Sequence, residues 1–197
     1  MTMKMTDEIR IKAPREEVFA ALNNPEILRQ AIPGCQDLKQ TSKTELTGTV
    51  QAKVGPVKAT FQGTVTLSDI IAPEGYTITG EGKGGAAGFA KGMARVGLME
   101  DGDATILNYE VNAEVGGKLA QVGSRLIEGT SKKLANEFFT TFSNLVGPNN
   151  TSTGANKGST SSEEEKKQTD APTSFIWVSA SVVAALLVLG YLVGFKN

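Results

Sequence analysis

The sequence predicts an α+β domain, in which a curved antiparallel sheet grips one long helix, followed by a separate transmembrane helix. Residues 45–67 alternate with period two, as half-buried strands do. Apolar residues between 119 and 145 recur at spacings of three and four, which is typical of a helix with one buried stripe. Residues 175–195 carry no charge. A sheet with one apolar face and a helix with one apolar stripe bury both surfaces best against each other.

The first elements are a strand and two short helices. Residues 5–11 alternate between apolar and polar faces, which predicts a half-buried strand. Pro14 suits the first turn of a helix, and the helix runs through Leu22. A second short helix covers residues 26–31, and Pro33-Gly34 ends it.

Antiparallel strands make up the middle of the domain. The two alternating runs, residues 45–54 and 57–67, flank a Gly55-Pro56 turn, which predicts a hairpin with one dry face. Further strands are predicted at 76–84, 89–99 and 105–115, with turns at 73–75 and 101–103.

One long helix is predicted to close the domain. Its apolar stripe consists of Leu119, Val122, Leu126, Thr130, Leu134, Phe138, Phe142 and Leu145. This stripe would face the dry side of the sheet.

Glycine is unusually frequent in the predicted sheet. Residues 44–117 contain 14 glycines, about 19% against an average near 7%. Several of them fall on the predicted inner face, namely Gly48, Gly63, Gly80 and Gly82. Two interpretations stay open: these positions bend the sheet, or the missing side chains leave room for a guest between sheet and helix.

Composition excludes several classes of function. The chain has 197 residues with 20 Lys and Arg, 21 Asp and Glu, no histidine and one cysteine. A net charge of −1 argues against a nucleic-acid partner. The lack of histidine removes the commonest general base and metal ligand, and one cysteine cannot form an internal disulfide. We therefore predict no catalytic residue and no metal site.

The C-terminal segment predicts a membrane anchor. A helix over residues 175–195 would span about 31 Å, which matches a hydrocarbon core of about 30 Å. Lys157, Lys166 and Lys167 precede it and only Lys196 follows it, so the positive-inside rule predicts a single pass with the globular domain in the cytoplasm.

The organisation predicted from these patterns is a ligand-binding domain over residues 1–147, a linker over 148–174 and a transmembrane helix over 175–195. The linker contains only two apolar side chains, Ala155 and Ala171, which predicts disorder. It is either an inert spacer or a flexible tether that lets the domain contact the membrane.

Three segments carry a resemblance to a known family. They are NPEILRQAIPGC (24–35), GEGKGGAAGFAKGMARVGL (80–98) and GGKLAQVGSRLIEGTSKKLANEFFTTF (116–142). They closely resemble the carbon monoxide dehydrogenase subunit CoxG, a family of the START-like or SRPBCC helix-grip superfamily. The resemblance covers residues 3–146, and the linker and apolar tail also look like those of membrane-anchored members.

The resemblance implies a seven-stranded antiparallel sheet around the C-terminal helix, with an apolar cavity between them. It also implies a non-enzymatic role beside a molybdenum-containing dehydrogenase, which the protein would recruit to the membrane and supply with a quinone as electron acceptor. No covalently bound cofactor is expected; the bound guest would be an isoprenoid quinone or another lipid.

The residues expected to line this cavity are apolar or aromatic. They are Phe19, Leu28, Ile32, Val50, Phe61, Val65, Ile78, Phe89, Met93, Tyr109, Leu119, Val122 and Leu126. Among them, Tyr109 is expected to hydrogen-bond a quinone oxygen, and the short helix around Leu28 and Ile32 is expected to act as a gate.

Two alternatives to a quinone-presenting protein remain. One is a membrane-recruitment adaptor without a ligand, whose own side chains fill the cavity. The other is a cyclase-like enzyme of the same superfamily, which the absence of histidine disfavours.

Overall fold

The computed structural model describes residues 1–147, so the predicted linker and the predicted transmembrane helix lie outside the described residues. The elements are β1 (Thr2–Ile11), α1 (Arg15–Leu22), α2 (Pro25–Ala31), β2 (Cys35–Gln40), β3 (Glu45–Val54), β4 (Val57–Ile71), β5 (Gly75–Lys83), a 3₁₀ turn (Gly85–Ala87), β6 (Phe89–Asp101), β7 (Ala104–Gly116), α3 (Lys118–Gln121) and α4 (Ser124–Val146). No helix within this described part is both long and apolar enough to cross a membrane.

The strands form one seven-stranded sheet in the order β1-β7-β6-β5-β4-β3-β2. Every neighbouring pair is antiparallel. Strands β2 to β7 follow one another along the chain, whereas β1 pairs with the last strand, so α1 and α2 connect the two edges of the sheet. This architecture confirms the predicted α+β fold, with an antiparallel sheet and a C-terminal helix.

The β3–β4 hairpin shows how the alternation builds the inner face. Gly55 has φ +57° in its turn, a conformation that glycine adopts without steric cost. Val50 pairs with Phe61 and Leu46 with Val65, and all four side chains are buried. The inner face is therefore apolar, as the period-two pattern predicts.

Strand β2 was not predicted from the sequence. Of its six side chains only Leu38 is buried, so the segment shows no alternation to detect. It forms because its backbone pairs with β3, with a register shift between Cys35 and Asp37.

The predicted single C-terminal helix is interrupted. Gly123 has φ +92°, which ends the four-residue α3 and lets α4 begin at Ser124. The interruption changes which face of the helix is buried, so the predicted stripe holds at Leu119 but is wrong at Leu126, just after the break. Ile127 is buried, whereas Leu126 is 43% exposed.

The inner-face glycines form rows across the sheet. Gly48 pairs with Gly63, and Gly63 with Gly82; Gly80 pairs with Gly92. A Cβ atom at Gly92 would lie 2.2 Å from the carbonyl oxygen of Asn112, so close backbone approach requires glycine there.

Candidate functional site

The candidate site is a cavity of about 70 Å³ between the inner face of the sheet and the helices α1, α2 and α4. Its walls come from β2 to β7 and from the three helices. The lining residues are Leu22, Asn23, Leu28, Leu38, Gln40, Leu46, Val65, Leu67, Tyr76, Ile78, Ala94, Val96, Leu107, Tyr109, Val111, Phe138 and Phe139. No glycine belongs to this lining, so the inner-face glycines do not create the cavity.

The cavity wall is uncharged and mostly apolar. Its polar side chains are two amides and two phenols. Asn23 Nδ2 donates to the carbonyl oxygen of Phe19 at 2.8 Å, and Gln40 Nε2 donates to that of Lys43 at 3.4 Å. A wall of this composition suits an uncharged hydrophobic ligand, because a charged group would lose its hydration without finding a counter-charge.

The two phenols are held by aromatic contacts. The Tyr109 ring stacks on Phe139 of α4, with ring centroids 5.5 Å apart and an interplanar angle of 19°. The Tyr76 ring meets Phe19 of α1 edge to face, with centroids 5.9 Å apart. Burial raises the pKa of both hydroxyls, and for Tyr109 the pKa rises to about 12, with the charge of Asp7 as a smaller cause. Both phenols are therefore protonated donors at neutral pH.

This raised pKa predicts how stability depends on alkaline pH. An unfolded tyrosine ionises near pH 10, so the unfolded state loses the Tyr109 proton before the folded state does. The free energy of unfolding should therefore fall between about pH 10 and 12. In Tyr109→Phe this fall should be shallower. Urea unfolding of both proteins at pH 8, 10 and 11 measures it, and equal slopes would contradict the assignment.

Four of the thirteen predicted site residues line the cavity: Leu28, Val65, Ile78 and Tyr109. Phe19 lies behind the wall, against Tyr76. Five more predicted site residues belong to the core or pack against it without lining the cavity: Ile32, Val50, Phe61, Leu119 and Val122.

Three predicted site residues lie away from the cavity. Phe89 and Met93 have the opposite parity from the buried Ala94 and Leu98 on β6, so they point to the outer face, and Met93 is 41% exposed. Leu126 lies at the start of α4, where a Cβ atom on Gly55 would be 2.4 Å from its Cδ2 atom. It therefore covers the β3–β4 turn.

Sequence reasoning missed several lining residues, of which Tyr76 and Phe139 matter most. Tyr76 lies two residues before Ile78 on β5, so period-two alternation places both on the inner face. The alternation in the sequence could therefore have identified Tyr76 as a residue of the inner face. Phe139 lies outside the predicted stripe, but α4 buries it together with Phe138, so the helix presents a broader apolar face than the stripe indicated.

No metal centre is found in the part of the chain that the structure describes, since no group of three or more His, Cys, Asp or Glu side chains there could hold an ion.

The arrangement of a seven-stranded antiparallel sheet, two helices after the first strand and a C-terminal helix over an apolar cavity defines a START-like fold. A START superfamily protein from Mycobacterium smegmatis matches with a TM-score of 0.57 at 13% identity, over 73% of this chain and 96% of that chain. Truncated norcoclaurine synthase from Thalictrum flavum matches with a TM-score of 0.50 at 16% identity, over 74% of this chain and 94% of that chain. At these identities the likeness shows the fold alone.

The sequence narrows this class to one family. Residues 8–147 match the family of the carbon monoxide dehydrogenase subunit CoxG, and the chain belongs to that family. A conserved protein from Geobacillus kaustophilus is 30% identical, with a TM-score of 0.69 over 73% of this chain and 95% of that chain. No curated protein matches the chain. Because the three solved chains are matched over 94–96% of their length, the described region corresponds to a whole folded chain in each.

Proposed function

We propose that this protein carries a hydrophobic guest, an isoprenoid quinone, and presents it to a molybdenum-containing dehydrogenase of the carbon monoxide dehydrogenase type. In this proposal the protein recruits that enzyme to the cell membrane. The redox centres belong to the partner, and this chain contributes no catalytic step. The family supports the choice of partner, and the observation that carries the choice of guest is the uncharged cavity wall.

A quinone needs such a carrier because its isoprenoid tail is insoluble in water. Electron transfer from a water-soluble enzyme therefore requires a dry path from the bilayer to the enzyme surface. The apolar side chains of the cavity supply an environment in which the ring and the first part of the tail lose little on leaving the membrane.

The apolar sequence over residues 175–195 supports a single-pass anchor, with the domain on the cytoplasmic side. Tethering raises the effective concentration of the domain near both the bilayer and a membrane-associated partner.

Guest binding requires the cavity to enlarge. Pockets for molecules of this size have volumes of roughly 300–1,000 Å³, whereas this cavity has about 70 Å³. The side chains that must move belong to short or amphipathic helices: Leu28 on α2, and Phe138 and Phe139 on α4. We propose that α2 is the part of the wall that moves, because it has seven residues and is followed directly by the edge strand β2.

The small volume also favours a second candidate function. A domain whose side chains nearly fill its interior suits a recruitment adaptor that binds the dehydrogenase and no lipid. The two candidates differ in one measurable property, which is whether the domain retains a guest from the membrane.

Lipid analysis of the purified protein tests the proposal. The full chain and residues 1–147 are expressed in a quinone-producing host, and bound lipid is measured by native mass spectrometry. The carrier is expected to hold quinone at up to one molecule per chain. If neither protein holds quinone, even after incubation with quinone-containing vesicles, the adaptor is the better account.

A further inference from the structure

Two tyrosines of the cavity wall lie in one row across three neighbouring strands. Tyr76 of β5 pairs with Val96 of β6, and Val96 pairs with Tyr109 of β7. All three residues line the cavity. Since neighbouring strands are about 4.8 Å apart, the two tyrosine backbones are about 10 Å apart, with Val96 forming the floor between them.

The two rings contact different helices. Tyr76 contacts Phe19 of α1, whereas Tyr109 stacks on Phe139 of α4. A guest that displaces Phe139 leaves the spacing of the row unchanged, because backbone pairing sets it, so the Cα atoms of the two tyrosines stay about 10 Å apart.

Neither hydroxyl has a hydrogen-bond partner among the described residues, although Tyr76 is 6% and Tyr109 5% exposed. Neither hydroxyl oxygen is among the fully enclosed side-chain atoms without a partner in the described part of the chain, so each hydroxyl reaches accessible space, where a phenol in an apolar wall usually finds a partner. The two amides of the wall already donate to backbone carbonyls, those of Phe19 and Lys43. The phenols are therefore the two polar side chains of the wall that donate no hydrogen bond to a described residue.

We infer that Tyr76 and Tyr109 together form a two-point site for the head group of the guest, each donating a hydrogen bond to one of two acceptor oxygens on opposite edges of a flat, uncharged ring. This inference rests on the proposed function and specifies it. A ring dicarbonyl engages both phenols, whereas an acyl lipid or a terpene alcohol has a polar group at one end and engages one.

Matched probes and matched variants test the two-point site. The probes are 2-methyl-1,4-naphthoquinone and 2-methylnaphthalene, which share a ring system and differ in the two carbonyl groups. Residues 1–147 and the variants Tyr76→Phe, Tyr109→Phe and the double variant are titrated with each probe by calorimetry. These substitutions remove only the hydroxyls, and thermal unfolding checks that each variant is folded.

The expected result is a loss of quinone affinity of about three- to tenfold for each single variant and a larger loss for the double variant. Affinity for 2-methylnaphthalene should stay within about twofold. Unchanged quinone affinity in the double variant would overturn the two-point site and leave the carrier intact, as would equal affinity of the wild-type domain for the two probes. Failure of the wild-type domain to bind either probe would also overturn the two-point site, whereas the carrier is overturned only if the protein retains no quinone from the membrane.

Discussion

The substitution Ala94→Leu is expected to abolish guest retention while leaving the domain folded. Ala94 is 1% exposed and lies in the middle of the cavity floor, paired with Ile78 on one side and Val111 on the other. A leucine adds three carbon atoms, which would occupy much of the 70 Å³ cavity. Bound quinone should fall at least tenfold, measured by lipid extraction from equal amounts of purified protein.

Met93→Leu provides the matched control for this substitution. Met93 is the neighbour of Ala94 on β6, but it points to the outer face and is 41% exposed, so its replacement should leave quinone retention unchanged. In Ala94→Leu, overpacking should lower the free energy of unfolding by about 1–3 kcal/mol, which thermal unfolding would show. If Ala94→Leu retains as much quinone as Met93→Leu, the guest is bound elsewhere and the cavity is part of the core.

Phe142→Ala is expected to have the largest effect on stability. Phe142 is completely buried, and its ring stacks on Phe138 with centroids 5.6 Å apart. Truncating a buried phenylalanine costs about 3–5 kcal/mol, which is a large part of the roughly 5–15 kcal/mol that stabilises a domain. Urea unfolding of residues 1–147 measures the loss.

Leu126→Ala tests, in the same experiment, which face of α4 is buried. Sequence periodicity places Leu126 and Phe142 in one buried stripe, whereas the structure leaves Leu126 43% exposed. Its truncation should therefore cost about 1 kcal/mol or less. Similar losses for the two variants would show that the stripe continues unbroken and that α3 and α4 form one helix.

Most of the sheet could be predicted because each of its long strands buries the side chains of one face, which produces a period-two pattern in the sequence. The predicted runs 76–84, 89–99 and 105–115 correspond to β5, β6 and β7 with ends shifted by one or two residues. Strand β2 could not be predicted, because Leu38 alone is buried in it and an edge strand with one buried side chain has no periodicity.

The C-terminal helix shows a different limit. The spacing of apolar residues identified a helix, but the break depends on the backbone conformation of Gly123, and glycine also occurs within helices. Once the phase changes at that point, extrapolation from Leu119 assigns the wrong residue at Leu126.

Predictions of the site were weaker than predictions of the fold. The family resemblance placed a cavity between sheet and helix, and the structure has one there. Which side chains reach it depends on strand parity and on the position of the cavity within the interior. Parity alone would have removed Phe89 and Met93 and added Tyr76, whereas no local pattern separates Val65, which lines the cavity, from Phe61, which does not.

Amino-acid order alone was sufficient for the α+β class, the antiparallel hairpins, the closing helix and the family, because alternation, helical spacing and motif residues are local properties of the chain. Tertiary structure was needed for the pairing of β1 with β7, the edge strand β2, the break at Gly123 and the row of Tyr76, Val96 and Tyr109. These features depend on contacts between residues far apart in the chain, so they follow from how the elements pack.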